Sequence, residues 1–231
     1  MDEGGKMNIK KTKSIISKVL WGLLIAALAF FLGKTAIFEY NYYNEKEGSP
    51  RAVSETSGEE EALDETEVSA DERAAYNVAP DRPRYLSIEQ LGVKDARVFA
   101  MGLKSSGELN TPAGIYDVGW YSSSGKPGEG RTVLIDGHNG GPTKVGVFKY
   151  LPELEEGDLI TLERGDGEIF EYKVVENKEI SLNDSDSYMS IALTSPERGK
   201  ESLTLITCTG EWSQTKQTYL SRQFVRAVLV D

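Results

Sequence analysis

Residues 84–231 read as an all-β domain closing into one barrel, on three observations. Short runs of Val, Ile, Leu and Tyr recur along the stretch. Gly, Pro, Asn and Asp separate them, which is the punctuation of strands joined by turns. The 148 residues involved suit one closed or nearly closed barrel, an arrangement that leaves no long unprotected edge.

Taken in order, strands are expected at 84–88, 96–100, 132–136, 159–163, 169–176, 203–207 and 223–230, with short helices at 147–151 and 188–193. Gly92, Gly102, Gly107 and Gly114 break the early pattern, so the first strands are less sharply drawn than the last four. No internal repeat is present.

Ahead of this domain the composition changes twice. Residues 19–33 are an uncharged run of 15 residues, about 22 Å of helix, and extension to 15–38 gives a segment long enough to cross a bilayer. Lys18 and Lys34 fall near its ends, where their stems reach toward the interfaces. Lys6, Lys10, Lys11, Lys13 and Lys18 precede or open the span, and positive charge on that side leaves residues 1–14 in the cytoplasm. The expectation is therefore a single-pass signal anchor in the cell membrane with the domain outside. A cleaved signal peptide is the alternative, but a small-residue cleavage site is poorly placed. Residues 39–83 read as an acidic, disordered linker. Between Glu45 and Glu72 there are 11 acidic residues against two basic ones, too little apolar surface to offset the entropy of ordering. Some helix within 64–76 is compatible with its Glu, Ala and Arg content.

Composition also excludes. A net charge of -11 argues against nucleic acid, which would call for a basic patch. One Cys and one His rule out an intramolecular disulfide and the usual four-ligand Cys/His zinc site. Whatever Cys208 does, it does as a thiol.

Cys208 follows Leu203-Thr204-Leu205-Ile206-Thr207, His138 follows Thr132-Val133-Leu134-Ile135-Asp136-Gly137, and Arg222 opens the last strand. Three reactive residue types at three strand ends would converge on one barrel rim. Taken singly each has a plain reading: Cys208 as a small buried hydrophobe, His138 as a hydrogen-bonded loop residue, Arg222 as a solvated charge. Together they are what a thiol nucleophile requires: a base, a positive surrounding and a donor for the oxyanion.

Thr204-Leu205-Ile206-Thr207-Cys208 resembles the Thr-Leu-X-Thr-Cys signature of the sortase family of cysteine transpeptidases. Leu134-Ile135-Asp136-Gly137-His138 is similar to the segment that carries that family's histidine, and Arg222-Gln223-Phe224-Val225-Arg226 to the strand that carries its arginine. Gly119-Trp120-Tyr121 with Lys126-Pro127-Gly128-Glu129-Gly130 looks like the class F branch, although Asn139-Gly140-Gly141 stands where that branch has Val-Asp. The resemblance covers 84–231 and implies an eight-stranded β-barrel. It further implies cleavage of a Leu-Pro-X-Thr-Gly sorting signal between Thr and Gly. Cys208 would form the thioacyl-enzyme, His138 would shuttle protons and Arg222 would hold the carbonyl oxygen. Partners would be surface proteins bearing the signal and an amine acceptor on cell-wall peptide or another protein.

No organic cofactor is implied. Some relatives bind calcium through loop carboxylates, but Asn183, Asp184 and Asp186 lack the further ligands of an EF-hand and read as a polar loop. Asp136 reads as a solvated or turn-forming residue, and Trp120 and Trp212 as either groove or core aromatics. Arg226 shares the Arg222 face by alternation and reads as a dispensable charge. An L,D-transpeptidase is disfavoured because Leu205-Ile206-Thr207 replaces its Ser-X-Gly before the cysteine. A non-catalytic surface β-domain and a pilin-polymerising sortase are the remaining alternatives. With reference pKa values, about 3% of the thiol and about 24% of the imidazole would be charged at pH 7, so under ~1% of molecules would carry both charges.

Overall fold

The structure, a computed structural model, describes residues 62–230. The expected signal anchor, and the linker as far as residue 61, lie outside the described residues. Eight strands form a closed barrel: β1 (Pro83–Ile88), β2 (Val93–Met101), β3 (Val118–Tyr121), β4 (Thr132–Gly137), β5 (Leu159–Arg164), β6 (Ile169–Ser181), β7 (Ser202–Ser213) and β8 (Thr218–Leu229). Around the barrel they run β1-β2-β3-β4-β7-β8-β6-β5. The pairs β2/β3 and β4/β7 are parallel, and the other six are antiparallel. Two helices accompany them, α1 (Ala70–Ala75) and α2 (Leu182–Ala192).

Alternation along β4, β7 and β8 sends side chains into two apolar clusters. Val133, Ile135, Leu203, Leu205, Val225 and Ala227 point into the barrel with Phe148, Leu162 and Tyr172. Leu134, Ile206 and Phe224 point outward, where Ile180 and the α2 residues Tyr188 and Ala192 cover them. The outer wall of this half of the barrel is thus a second buried surface. Ser185, Tyr188 and Ala192 recur at helical spacing on the inner face of α2, and the Tyr188 ring meets Phe224 edge-on at 4.8 Å between centroids.

Where the structure departs from the sequence expectation, local chemistry explains it. β3 was not anticipated: it is only four residues long with Gly119 inside it, and its strand character comes from pairing with β2 and β4. The helix expected at 188–193 begins at Leu182, so Asn183, Asp184 and Asp186 lie on α2 and not in a loop. Asp184 accepts from the Ser181 hydroxyl at 2.7 Å, and an acid is favourable in a first helical turn. At 147–151 the chain forms turns leading into a single 3-10 turn at Leu151–Glu153. β7 and β8 run past their expected ends because a bulge between Thr209 and Trp212, with Gly210 at φ +78°, lets the ladder continue across residues that read as a turn.

The Lys126-Pro127-Gly128-Glu129-Gly130 segment serves the architecture. Buried Glu201 accepts from Gly128 N at 2.9 Å, Gly130 N at 2.7 Å and Tyr172 Oη at 2.6 Å, so one carboxylate ties this turn to the barrel. Trp120 is core, not groove: it is 2% exposed and its indole N–H donates to Gly125 O at 2.9 Å.

Residues 62–82, expected as solvated spacer, lie instead against the barrel. Ser69 and Glu72 form a capping box that starts α1. Tyr76 donates to Val98 O at 2.5 Å, and burial pushes its phenol up to about 12. Arg97, held by Asp117 at 2.8 and 2.7 Å, lies over the Tyr76 ring. An acidic composition conceals this docking, because it is carried by backbone bonds, Tyr76 and a few of the acids themselves, notably Glu65 and Asp81.

Candidate active site

Register decides where the three sequence-flagged residues meet. In the parallel β4/β7 ladder Asp136 pairs with Ile206, and Thr207 Oγ1 donates to Gly137 O at 2.7 Å. Continuing that register puts His138 level with Cys208. In the antiparallel β7/β8 ladder Cys208 pairs directly with Arg222. Cys208 and Arg222 are thus cross-strand partners, and His138, one residue past the end of β4, extends their row onto the neighbouring strand's line, with successive strands about 4.8 Å apart. By alternation the row faces outward, on the same side as Leu134, Ile206 and Phe224. His138 follows the end of β4 at Gly137 as expected, whereas β7 continues to Ser213 and Arg222 lies within β8, so Cys208 and Arg222 stand on the barrel wall and not at strand ends.

Each side chain is held. His138 Nε2 lies 2.8 Å from Pro112 O; a carbonyl can only accept, so Nε2 carries the proton and Nδ1 is the basic nitrogen of the neutral ring. Arg222 donates from Nη1 to Tyr219 O and Ser221 O, both at 3.0 Å, and from Nη2 to Thr218 Oγ1 at 3.3 Å, which fixes its plane beside Cys208. Arg226 is not the dispensable charge expected. It is 8% exposed, ion-paired to Glu176 at 2.5 Å and bonded to Thr194 O at 2.8 Å.

Burial sets the charge states. It pushes the Cys208 thiol up; Arg222 and Lys104 pull it back, and Asp136 opposes them. Burial pushes the His138 imidazole down, with the Pro112 carbonyl opposing and Lys104 assisting. Both directions favour a neutral thiol beside a neutral imidazole, so the resting ion pair is scarcer than reference values give.

The sequence reading missed Pro112, Thr111 and Lys104, all on the connection between β2 and β3, where nothing in the local residues distinguishes them from turn formers. It also misjudged Asp136. That carboxyl is pushed up to about 7, chiefly by burial, while Thr111 Oγ1 donates to it at 2.5 Å. Ionised Asp136 raises the Cys208 thiol, so Asp136→Asn should lower the pH midpoint of Cys208 alkylation by iodoacetamide. The difference should open only as pH rises through about 7; two or more units below that, both proteins carry a neutral group and should coincide. Superimposable profiles at all pH values would disprove the coupling.

Residues 86–230 match the family model described as Sortase domain. The chain belongs to the sortase family. Members are cysteine transpeptidases, and this sortase is one. Among solved structures, it is similar to sortase A from Corynebacterium diphtheriae, a lid mutant, at 26% identity over 66% of this chain and 71% of that one, with a TM-score of 0.47. A sortase D5 transpeptidase of Clostridium perfringens is 23% identical over 71% of this chain and 90% of that one, TM-score 0.46. The pilus-related sortase C of Group B Streptococcus is 22% identical over 75% and 77%, TM-score 0.47. No curated protein sequence matches. The eight-stranded barrel expected from the signature around Cys208 is the fold observed.

Proposed function

We propose that this sortase cleaves a Leu-Pro-X-Thr-Gly type sorting signal between Thr and Gly and transfers the threonyl carbonyl to an amine. The acceptor is cell-wall peptide, or an amine on another protein. The observation that supports this reading is the single row of His138, Cys208 and Arg222 across β4, β7 and β8.

The Cys208 thiolate attacks the threonine carbonyl, and the oxygen gains negative charge beside the Arg222 guanidinium. The C–N bond breaks as protonated His138 delivers its proton to the departing amine, leaving a thioester. Neutral His138 then takes a proton from the incoming amine, which attacks the thioester and expels the thiolate. Because burial disfavours both charges, the reactive ion pair is a minority state. It is favoured when the carbonyl dipole of a bound substrate joins Arg222 around the sulfur. With residues 15–38 as the anchor that their apolar run and the lysines before it suggest, this chemistry lies outside the cytoplasmic membrane, at the cell wall, with residues 1–14 inside.

Incubation of the full chain with a library of sorting-signal peptides and amine acceptors, read by mass spectrometry, tests the reading. The expected result is a thioacyl adduct on Cys208 with release of the Gly-containing fragment. Binding of these peptides without cleavage would overturn it.

A further inference from the structure

Residues just ahead of the barrel reach His138 from two sides. Asp64 forms a parallel bridge with Gly114: its N–H donates to Ala113 O at 2.8 Å and its carbonyl accepts from Ile115 N at 2.9 Å. That short segment follows immediately on Pro112, whose carbonyl holds the imidazole at 2.8 Å. Glu65, the next residue, turns to the loop that leaves His138. Its carboxylate accepts from Thr143 N at 2.7 Å, from Lys144 N at 2.8 Å and from the Thr143 hydroxyl. The fit over the loop is close, since a Cβ on Gly141 would stand 2.4 Å from Glu65 Oε1, and a larger residue there would displace the carboxylate from Thr143 and Lys144.

The two contacts belong to one hydrogen-bonded frame. Val147 N donates to Ile115 O at 2.8 Å, Phe148 N to His138 O at 2.9 Å and Gly146 N to Asn139 O at 2.9 Å. Residues 112–115 therefore hold the imidazole from one side and residues 139–148 hold its backbone from the other, and the strap formed by residues 62–69 is bonded to both through Asp64 and Glu65. Nothing in it serves the core: none of residues 62–69 is buried. Apart from the Ser69 cap of α1, its long-range bonds go to residues 113–115 and 143–144, which flank the mounting of one side chain.

We infer that Glu65 is a positioning residue for His138, clasping the histidine loop so that the imidazole stays in line with Cys208. The inference rests on the catalytic role of His138 proposed above. It makes the segment between anchor and barrel part of the catalytic apparatus, and positioning errors near 1 Å are enough to cost about 100-fold in rate.

His138 is the single histidine of the chain, so its ring resonances in the full protein, labelled at histidine, need no assignment. In Glu65→Ala the ring loses its close mounting, and its titration should move up from the depressed value toward the ordinary 6.5. Amide exchange at Val147 and Phe148 should speed up. With a fluorogenic Leu-Pro-Glu-Thr-Gly peptide and hydroxylamine as acceptor, kcat should fall by roughly tenfold or more with KM little changed. Glu65→Gln should recover most of this, because its amide oxygen still accepts from Thr143 N and Lys144 N while its amide nitrogen donates to the Thr143 hydroxyl. Unchanged imidazole titration and exchange in Glu65→Ala overturn the inference, whether or not the peptide is turned over. A rise in kcat overturns it too, making the strap a cover over the site. Activity retained by His138→Ala would instead overturn the role on which the inference rests.

Discussion

Cys208→Ala is expected to abolish transfer and thioacyl formation, and His138→Ala to cut turnover by roughly 10²- to 10⁴-fold, the usual worth of a general acid-base group. Both proteins should melt close to the parent. Cys208 is only half-buried and makes no cross-link, so truncation leaves a small gap on the outer wall. Among the described residues the His138 ring is tied only to the Pro112 carbonyl, outside the two apolar clusters. Steady-state kinetics alongside thermal melts make the check. Full activity in either folded variant would remove the mechanism.

Arg222→Lys is the second large effect, and two measurements together isolate it. Lysine keeps the positive charge that pulls the Cys208 thiol down, so the alkylation midpoint should stay near that of the parent. It loses the planar fork of donors, so transfer should fall on the order of 10²- to 10³-fold. Arg222→Ala should lose rate as well and also move the alkylation midpoint up. Equal transfer rates in Arg222→Lys and the parent would leave the oxyanion to backbone donors. Arg226 is a poor neutral control, because Arg226→Lys disturbs a buried pair with Glu176 and the bond to Thr194 O. Its expected signature is a lower melting temperature with the alkylation midpoint unchanged, as it stands four residues from Arg222 and pairs with Thr204, not Cys208.

How much of this was legible beforehand divides along a physical line. Strands such as 132–136 and 159–163 announce themselves because β-branched runs bounded by Gly and Asp need no partner to be recognised. Thr204-Leu205-Ile206-Thr207-Cys208 likewise gave the family from consecutive residues. What stayed hidden was set by pairing. The shared row of His138, Cys208 and Arg222 depends on two registers, the length of β7 on a bulge, and β3 on its neighbours. The burial that lifts Asp136 is invisible for the same reason, since a carboxylate beside Gly137 reads as a turn until Thr111 and the β3 strand are folded over it. Acidity concealed the docked stretch 62–82 because composition counts side chains, whereas Asp64 is held through its backbone and Glu65 by the loop it grips.

The parallel pairing of β4 with β7 carries a consequence for how the enzyme comes into being. β7 and β8 are joined by a short turn, so the thiol and the guanidinium become neighbours as soon as one hairpin forms. The imidazole is 70 positions away in sequence from the cysteine it faces, and β5, β6 and α2 all intervene. Bringing it alongside requires closure of a long loop, an entropic cost met only when the rest of the barrel is in place. On the roles proposed for these residues, competence to catalyse would follow closure of the barrel and not formation of the hairpin. A folding intermediate holding the β7/β8 hairpin would already seat the cysteine beside a cation, yet it would have no proton shuttle, and recovery of turnover after denaturation should lag behind recovery of the hairpin's aromatic signals.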